Sequence, residues 1–215
     1  MRPNSDIDYS LYLVTDRELL GGKELMATVV EAINGGVNVI QLREKNISTR
    51  HFYYLALELK ELTARHKVPF IINDRIDVAL AIDADGIHIG QSDMPLLTAR
   101  SLMGPEKIIG VSVTSVEQAL GAEADGADYL GVGSIFSTGT KADADYVSLA
   151  ALKEIKKYVK IPVVAIGGIN EHNIGEVIET GVDGVAVVSA IVACSDPRSA
   201  AETISRIIRK ERTSC

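Results

Sequence analysis

Cysteine is scarce in this chain, and no stretch of it stays apolar for long. The 215 residues include two cysteines, Cys194 and Cys215, and neither lies in a Cys-x-x-Cys or Cys/His metal-binding spacing. No run approaches the ~18 consecutive apolar residues of a membrane span. The first ten residues, MRPNSDIDYS, lack the apolar core of a signal peptide. We therefore expect a cytoplasmic protein with no membrane partner.

Positive charge is also in deficit. Lys and Arg number 22 against 29 Asp and Glu, which gives a net charge of −7. A nucleic-acid-binding surface needs a dominant basic face, so the composition argues against a nucleic-acid partner. It does not argue against a small phosphorylated ligand, because such a site needs only a few converging basic groups and backbone N–H donors.

Several catalytic motifs are missing as well. No G-x-G-x-x-G opens a helix after the first apolar run, so a nicotinamide cofactor is not expected. No Ser/His/Asp order suggests acyl transfer, and no lysine lies deep within an apolar run as a Schiff base would require. The stretch IFSTGTK (135–141) is not a nucleotide phosphate loop, because its glycines, Gly133 and Gly139, do not fit G-x-x-x-x-G-K-[ST].

What the chain does have is a regular alternation of two patterns. Short runs rich in Val and Ile alternate with amphipathic stretches of helical period, which predicts βαβ units and a parallel sheet. The predicted strands are Leu11–Val14, Val37–Gln41, Phe70–Ile72, Gly86–Ile89, Ile108–Val111, Tyr129–Val132, Val163–Ile166 and Val185–Val188. The clearest predicted helices are Leu25–Ile33, His51–Ala64, Leu149–Tyr158 and Ala200–Ile208.

Eight units of roughly 25 residues account for nearly all of the chain. They predict an α/β protein with one domain over residues 1–215, folded as a (β/α)8 TIM barrel. A weak internal repeat supports this fold, since Asp85, Asp128 and Asp183 each stand between a helix stop and a strand start. An open doubly wound sheet shows the same alternation and stays an alternative.

Polar residues at the C-terminal ends of the strands are the candidates for the site, because barrel enzymes carry their chemistry there. In the second strand, alternation places Gln41, Arg43 and Lys45 on the inward face. Two basic groups on that face are costly unless they meet an anion. The alternative is that the strand ends early and both basic groups are solvated.

Two carboxylates follow adjacent strands. Asn73 and Asp74 end the third strand and Asp93 follows the fourth, so both Asp side chains are expected at the same rim. Mg2+ prefers one or two carboxylates, with water and substrate phosphates completing its shell. His88 points inward from the fourth strand, either as a hydrogen-bonded interior histidine or as a ligand contact.

The remaining strand ends suggest phosphate binding. Lys141 follows the sixth strand among hydroxyl residues and is interpreted as a phosphate clamp. Paired glycines, Gly167 and Gly168, end the seventh strand, and Ser189 ends the eighth; these loops often bind phosphate through backbone N–H groups. Ser112 ends the fifth strand, where a lone serine is more often a local backbone cap than a ligand group.

These residues resemble the thiamine-phosphate synthase family. The segments QLREK (41–45), Asn73-Asp74, GIHIGQSD (86–93), GVS (110–112), Thr138-x-Thr140-Lys141, AIGGI (165–169) and AVVSAI (186–191) occur there in the same order. The resemblance runs from about Tyr12 to Ile191. Single motifs in this set are weak, but the Gln-x-Arg-x-Lys, Asp-Asp and Thr-x-Thr-Lys elements together are highly specific.

The resemblance implies a transferase that joins 4-amino-2-methyl-5-(hydroxymethyl)pyrimidine diphosphate to 4-methyl-5-(2-phosphooxyethyl)thiazole. Diphosphate would leave first, and the thiazole nitrogen would capture the pyrimidinylmethyl cation to give thiamine phosphate. The implied catalytic groups are Arg43, Lys45, Ser112 and Lys141. The implied ligand contacts are Asp74 and Asp93 for Mg2+; Arg43, Lys45, Asn73, Ser112 and Lys141 for the diphosphate; Gln41 and His88 for the pyrimidine; Thr138 and Thr140 for the thiazole; and Gly168, Val188 and Ser189 for its phosphate.

Two departures from the family pattern leave alternatives open. Ser134 and Ser137 stand where the family commonly has prolines, which predicts a looser loop from Thr138 to Lys141. The related thiazole tautomerases often carry a histidine at the Ser134 position and lack the Thr-x-Thr-Lys set. A tautomerase-like isomerase and a non-catalytic barrel that binds thiamine phosphates are the alternative functions. The sequence is also compatible with a homodimer paired through exposed helices.

Overall fold

The structure is a closed parallel barrel. The computed structural model describes residues 7–137 and 146–214. The eight strands pair in sequence order, and β1 also pairs with β8, which closes the sheet. The strands are β1 Leu11–Val14, β2 Val39–Leu42, β3 Phe70–Asn73, β4 Gly86–Ile89, β5 Ile108–Val113, β6 Tyr129–Val132, β7 Val163–Ile166 and β8 Gly184–Val187. Closure confirms the predicted TIM barrel and excludes the open doubly wound sheet.

Helices connect the strands on the outside of the barrel. They are α1 Leu25–Asn34, α2 Thr49–His66, α3 Ile76–Ala81, α4 Leu96–Met103, α5 Val116–Ala124, α6 Leu149–Tyr158, α7 Ile174–Ile178, α8 Ser189–Val192 and α9 Pro197–Ser214, with a 3-10 turn at Arg17–Leu19. Within residues 7–137 and 146–214, none of them is both long and apolar enough to span a membrane.

Several element boundaries differ from the prediction for local reasons. The second strand begins at Val39 rather than Val37, because the Val37 N–H closes the turn after α1 on the Ala32 carbonyl and the Asn38 side chain accepts the Leu11 N–H. Helix α2 begins earlier than predicted because the Ser48 side chain caps it, accepting a hydrogen bond from the backbone N–H of His51. Val188 does not extend the eighth strand, because it is the N-cap of α8.

The core has two layers. Aliphatic side chains fill the space between the sheet and the helices. The barrel interior instead holds a smaller cluster around three tyrosines, Tyr9, Tyr12 and Tyr129, with inward Val, Ile and Ala side chains from the other strands. A barrel of eight strands has an interior just wide enough for side chains to fill. These rings therefore close the part of the interior that lies toward the N-terminal ends of the strands.

A repeated pair of hydrogen bonds joins the strands two by two at the N-terminal end of the barrel. We call it the Asx clasp: the residue just before an even-numbered strand donates its N–H to the carbonyl of a residue at the start of the preceding strand and accepts that residue's N–H on its side chain. The four clasps are Asn38 with Leu11, Asp85 with Phe70, Asp128 with Ile109 and Asp183 with Val163. The side-chain bonds measure 2.7–3.1 Å.

The clasps explain the internal repeat in the sequence. Two residues before each clasp residue, the backbone has positive φ: 104° at Gly36, 54° at Asp83, 94° at Gly126 and 86° at Gly181. The helix therefore ends in a left-handed residue, and one further residue brings the Asx side chain to the neighbouring strand. Asp83 is the one member that is not glycine, and Asp tolerates this conformation better than most side chains.

The clasp of Asp128 gives a stability prediction. Its carboxylate accepts the Ile109 N–H at 2.8 Å and the Arg100 guanidinium at 2.5 Å. Asp128→Ala leaves both donors without this acceptor, so we expect a loss of roughly 2–4 kcal/mol in the free energy of unfolding. Asp128→Asn should lose clearly less, because Asn38 shows that an amide oxygen can form the clasp. Urea unfolding measures both, and equal losses would contradict the clasp.

Candidate functional site

One cavity of about 490 Å³ opens at the C-terminal ends of the strands. Every predicted site residue within the described part of the chain lines it: Gln41, Arg43, Lys45, Asn73, Asp74, His88, Asp93, Ser112, Gly168, Val188 and Ser189. Thr138, Thr140 and Lys141 lie outside the described residues. The structure therefore brings together predicted residues that are up to 148 positions apart in sequence, from Gln41 to Ser189.

The basic residues after β2 are held by carboxylates. The strand ends at Leu42, so Arg43 and Lys45 do not continue its inner face as alternation predicted. Both basic groups contact carboxylates at the rim, although half of the Lys45 side chain is exposed. A guanidinium nitrogen of Arg43 lies 3.7 Å from the Asp16 carboxylate, and the Lys45 ammonium contacts Asp74. The Arg43 N–H also donates to the Thr15 hydroxyl at 3.2 Å, which fixes the backbone of this rim segment.

Asp74 and Asp93 are neighbours at the rim, just after the adjacent strands β3 and β4. Asp74 has φ of 61°, a left-handed conformation that lets its carboxylate meet Lys45 just beyond β3. The Gly90 N–H donates to Asp93 at 2.7 Å. Desolvation raises the pKa of the Asp93 carboxyl and the hydrogen bond from Gly90 lowers it, but the adjacent Asp74 raises it further, so the net shift is upward. Two carboxylates this close repel each other unless a proton or a cation lies between them.

A continuous chain of hydrogen bonds runs through the floor of the cavity. Gln41 Nε2 donates to the Tyr12 hydroxyl at 2.8 Å, and the Tyr12 and Tyr129 hydroxyls lie 2.8 Å apart. His88 Nδ1 lies 2.9 Å from the Tyr129 hydroxyl, and His88 Nε2 lies 2.9 Å from the Ser112 hydroxyl. His88 is thus a hydrogen-bonded interior residue that also lines the cavity. Ser112 contacts a side chain there, and its hydroxyl is not a simple backbone cap.

Glycines make room for the side chains that form this series of hydrogen bonds. In the sheet register, Gly110 of β5 lies between His88 of β4 and Tyr129 of β6. A Cβ at Gly110 would lie 2.1 Å from the Tyr129 ring, so only glycine lets the two side chains meet across β5. Gly131 has the same role nearby, because a Cβ there would lie 2.9 Å from the His88 ring.

The loops after β7 and β8 form the opposite wall. Gly167 and Gly168 have φ of 104° and 65° and pack closely against Ser134 and Phe136. The Gly168 carbonyl accepts the Asn173 side-chain amide at 3.0 Å, which holds this turn. The Ser134 hydroxyl donates to the Phe136 carbonyl at 2.7 Å, a bond that a proline at this position could not make. The loop it leads into lies outside the described residues, so its predicted looseness stays a prediction.

Sequence reasoning missed several residues of the cavity. Thr15 and Asp16 follow β1, a strand end that carried no recognised pattern, and both line the cavity. Tyr12 and Tyr129 were counted only as apolar members of their strands. Their inward parity beside Gln41 and Gly131 was the available signal, because a tyrosine facing a closed interior needs a partner for its hydroxyl.

The fold and the site define a class before any relative is considered. A closed barrel whose rim joins cations, a carboxylate pair and a glycine-rich turn is typical of barrel enzymes that act on phosphorylated small molecules. The family model for thiamine monophosphate synthase matches residues 11–191. That match spans the barrel from β1 through α8.

Relatives of nearly equal length agree with this match. The chain is 58% identical over 208 residues to thiamine-phosphate synthase of Clostridium acetobutylicum, covering 97% of this chain and 99% of that protein. It is 53% identical over 203 residues to thiamine-phosphate synthase of Clostridium novyi, covering 94% and 100%. The solved structure of thiamine phosphate pyrophosphorylase from Pyrococcus furiosus superposes with a TM-score of 0.88 at 47% identity, covering 95% and 98% of the two chains. This chain belongs to the thiamine monophosphate synthase family, and the family predicted from its sequence is confirmed.

The raised pKa of Asp93 predicts a pH dependence of stability. Because the folded pKa is above the unfolded value of about 4, the folded state binds the proton more tightly. The stabilising contribution is complete below that unfolded value and is lost as pH rises through the folded pKa. In EDTA at pH 7.5, Asp93→Asn should therefore unfold at a higher temperature than the wild type.

A matched control has the opposite sign. The Lys107 ammonium lowers the pKa of Asp83, so Asp83→Asn should gain nothing at pH 7.5. Differential scanning fluorimetry between pH 4 and 8 measures both variants. A lower unfolding temperature for Asp93→Asn than for the wild type at pH 7.5 would contradict the raised pKa of Asp93.

Proposed function

We propose that this chain forms thiamine phosphate and diphosphate from 4-amino-2-methyl-5-(hydroxymethyl)pyrimidine diphosphate and 4-methyl-5-(2-phosphooxyethyl)thiazole. The observation that carries the proposal is the single cavity in which cations, a carboxylate pair and a glycine-rich turn surround a polar floor. The names of the relatives favour this activity over the isomerase alternative.

The diphosphate is proposed to bind at the basic side of the rim. Arg43 and Lys45 enter the cavity already oriented by Asp16 and Asp74, so less side-chain freedom is lost when an anion arrives. Asn73 and Ser112 lie on the same wall, and Lys141 is assigned to this group by the family resemblance. These donors would stabilise the negative charge that develops on the departing diphosphate.

The carboxylate pair fits Mg2+. Asp93 is desolvated and lies close enough to Asp74 for that carboxylate to raise its pKa further, and a divalent cation would relieve the repulsion between the two. Mg2+ usually takes only one or two carboxylates plus water and phosphate oxygens, which agrees with the lack of any three-residue metal cluster among residues 7–137 and 146–214. When bound, the ion would neutralise charge on the leaving group.

The second substrate is proposed to bind opposite. Gly168, Val188 and Ser189 line the wall formed by the β7 and β8 loops, where the left-handed turn at Gly168 permits close approach of a phosphate to the backbone. Gln41 and His88 lie on the floor between the two walls and would hold the pyrimidine. The thiazole contacts of Thr138 and Thr140 are carried over from the family.

The proposed chemistry places modest demands on acid–base groups. Departure of diphosphate leaves a pyrimidinylmethyl cation, and the thiazole nitrogen supplies the electron pair for the new C–N bond. No proton has to leave the thiazole nitrogen for that bond to form. The residues of this site therefore serve to bind, orient and neutralise charge, with Arg43, Lys45, Ser112 and Lys141 as the proposed catalytic groups.

The first experiment supplies the purified protein with both phosphorylated substrates and Mg2+ and follows thiamine phosphate by chromatography. Product that disappears on addition of EDTA and returns with excess Mg2+ is the expected result. Folded protein that makes no product under these conditions, yet binds thiamine phosphate in calorimetry, would overturn the synthase and leave the non-catalytic binding barrel.

Asp74→Asn tests the carboxylate pair. The substitution halves the charge that Asp74 and Asp93 offer a cation, so we expect turnover to fall roughly 10²–10³-fold while the circular dichroism spectrum is unchanged. Asp77→Asn is the matched control, because Asp77 lies three residues away on α3, pairs with Arg75 and does not line the cavity. Full activity of Asp74→Asn would contradict the metal assignment.

A further inference from the structure

The chain of hydrogen bonds in the cavity floor can run in either of two directions, because each group between its ends donates to one neighbour and accepts from the other. It runs from Gln41 through Tyr12, Tyr129 and His88 to Ser112, with successive contacts of 2.8, 2.8, 2.9 and 2.9 Å. Tyr12 and Tyr129 line the cavity but are each only 1% exposed, so solvent has little access to them. The protein groups that their hydroxyls contact therefore direct the hydrogens of those hydroxyls.

Each interior member has one hydrogen to donate within the chain. Burial raises the pKa of both tyrosines above the usual range, so the phenols are neutral at physiological pH. Gln41 donates to Tyr12, which directs the Tyr12 hydrogen to Tyr129. The Tyr129 hydrogen then points to His88 Nδ1, and a neutral His88 must carry its proton on Nε2. Nε2–H donates to Ser112, and the Ser112 hydrogen is left to point into the cavity.

We propose that Tyr12 and Tyr129 are positioning residues that fix the tautomer of His88 and thereby present the Ser112 hydroxyl as a donor to the diphosphate. The direction of the hydrogen bonds is set at Gln41, which is connected to His88 through the hydroxyls of Tyr12 and Tyr129. A donor at Ser112 is what an anionic leaving group requires, whereas an inverted chain would present oxygen lone pairs to it.

This inference rests on the proposed function only for the identity of the anion. The tautomer itself belongs to the protein without substrate and can be observed there. A failed tautomer experiment would overturn the inference and leave the synthase untouched. An inactive protein with the expected tautomer would overturn the synthase instead.

The direct test is 15N NMR of histidine-labelled protein at pH 8 without substrate. The chain has four histidines, and the His88 signals are assigned by their loss in His88→Gln. The wild type should show His88 protonated at Nε2 only. Gln41→Glu replaces the donor to Tyr12 by an acceptor, so every hydrogen in the chain should reverse and His88 should become protonated at Nδ1.

A double variant shows whether the tyrosines carry the effect. In Tyr129→Phe, the link between Gln41 and His88 is cut, so adding Gln41→Glu should not change the His88 tautomer further. The inference is overturned if the wild-type ring is doubly protonated or protonated at Nδ1, if Gln41→Glu leaves His88 unchanged, or if Gln41→Glu has the same effect with and without Tyr129.

Kinetics supply the functional readout, with Tyr9→Phe as the matched control. The Tyr9 ring lies 4.8 Å from the Tyr129 ring, yet within the described part of the chain its buried hydroxyl has no hydrogen-bond partner. Tyr129→Phe should lower kcat/KM for the pyrimidine diphosphate about tenfold, the loss of part of one charge-assisted hydrogen bond, and leave KM for the thiazole phosphate unchanged. Tyr9→Phe should keep wild-type kinetics.

Unfolding temperatures separate positioning from stability. Both variants remove one hydroxyl from the same ring cluster, and both should remain folded at the assay temperature. Wild-type kinetics for Tyr129→Phe would overturn the functional part of the inference. Equal activity losses in both variants, or a loss in Tyr129→Phe that only follows its unfolding temperature, would do so as well.

Discussion

Closure of the eight-stranded sheet is the constraint on which the rest of this structure depends. A closed barrel of eight strands has an interior just wide enough for side chains or one small ligand, so inward side chains from different strands must share that space. Three tyrosine rings fill the lower part, and two of their hydroxyls continue upward into the cavity floor. Gly110 and Gly131 omit side chains where His88 must reach its partners. The floor of the cavity is thus continuous with the packed interior of the barrel.

At the rim of the cavity, charged side chains are held by contacts with other charged side chains. Arg43 and Lys45 lie against Asp16 and Asp74, so carboxylates hold both cations at the edge of the cavity. Desolvation, and after it the neighbouring Asp74, raises the pKa of Asp93. A site of this kind is less stable without its ligands than a neutral one would be. The cost is concentrated in a few residues, and the reciprocal clasps at the opposite end of the barrel stabilise the strands independently of it.

The sequence was sufficient for the barrel because Val- and Ile-rich strands and amphipathic helices alternate without interruption, and most predicted site residues stand directly after those strands. It was less informative where pairing across the barrel decides the outcome. The start of β2 at Val39 depends on the Asn38 side chain accepting a hydrogen bond from Leu11 of β1, a long-range contact that the local pattern does not show. The tyrosine pair was missed because periodicity shows which side faces inward but cannot show which inward groups meet. Tyr12 and Tyr129 are 117 positions apart, and only closure makes them neighbours.

The Asx clasps also divide the barrel into modules. They join β1 to β2, β3 to β4, β5 to β6 and β7 to β8, so each clasp lies inside one pair of consecutive strands. A circular permutant opened just before β3, β5 or β7 keeps both partners of every clasp on one continuous segment. A permutant opened between β1 and β2 places Leu11 and Asn38 at opposite ends of the chain. The hydrogen bonds of the clasps therefore group the eight strands into four consecutive pairs. The positions that tolerate new termini are expected to lie between these pairs.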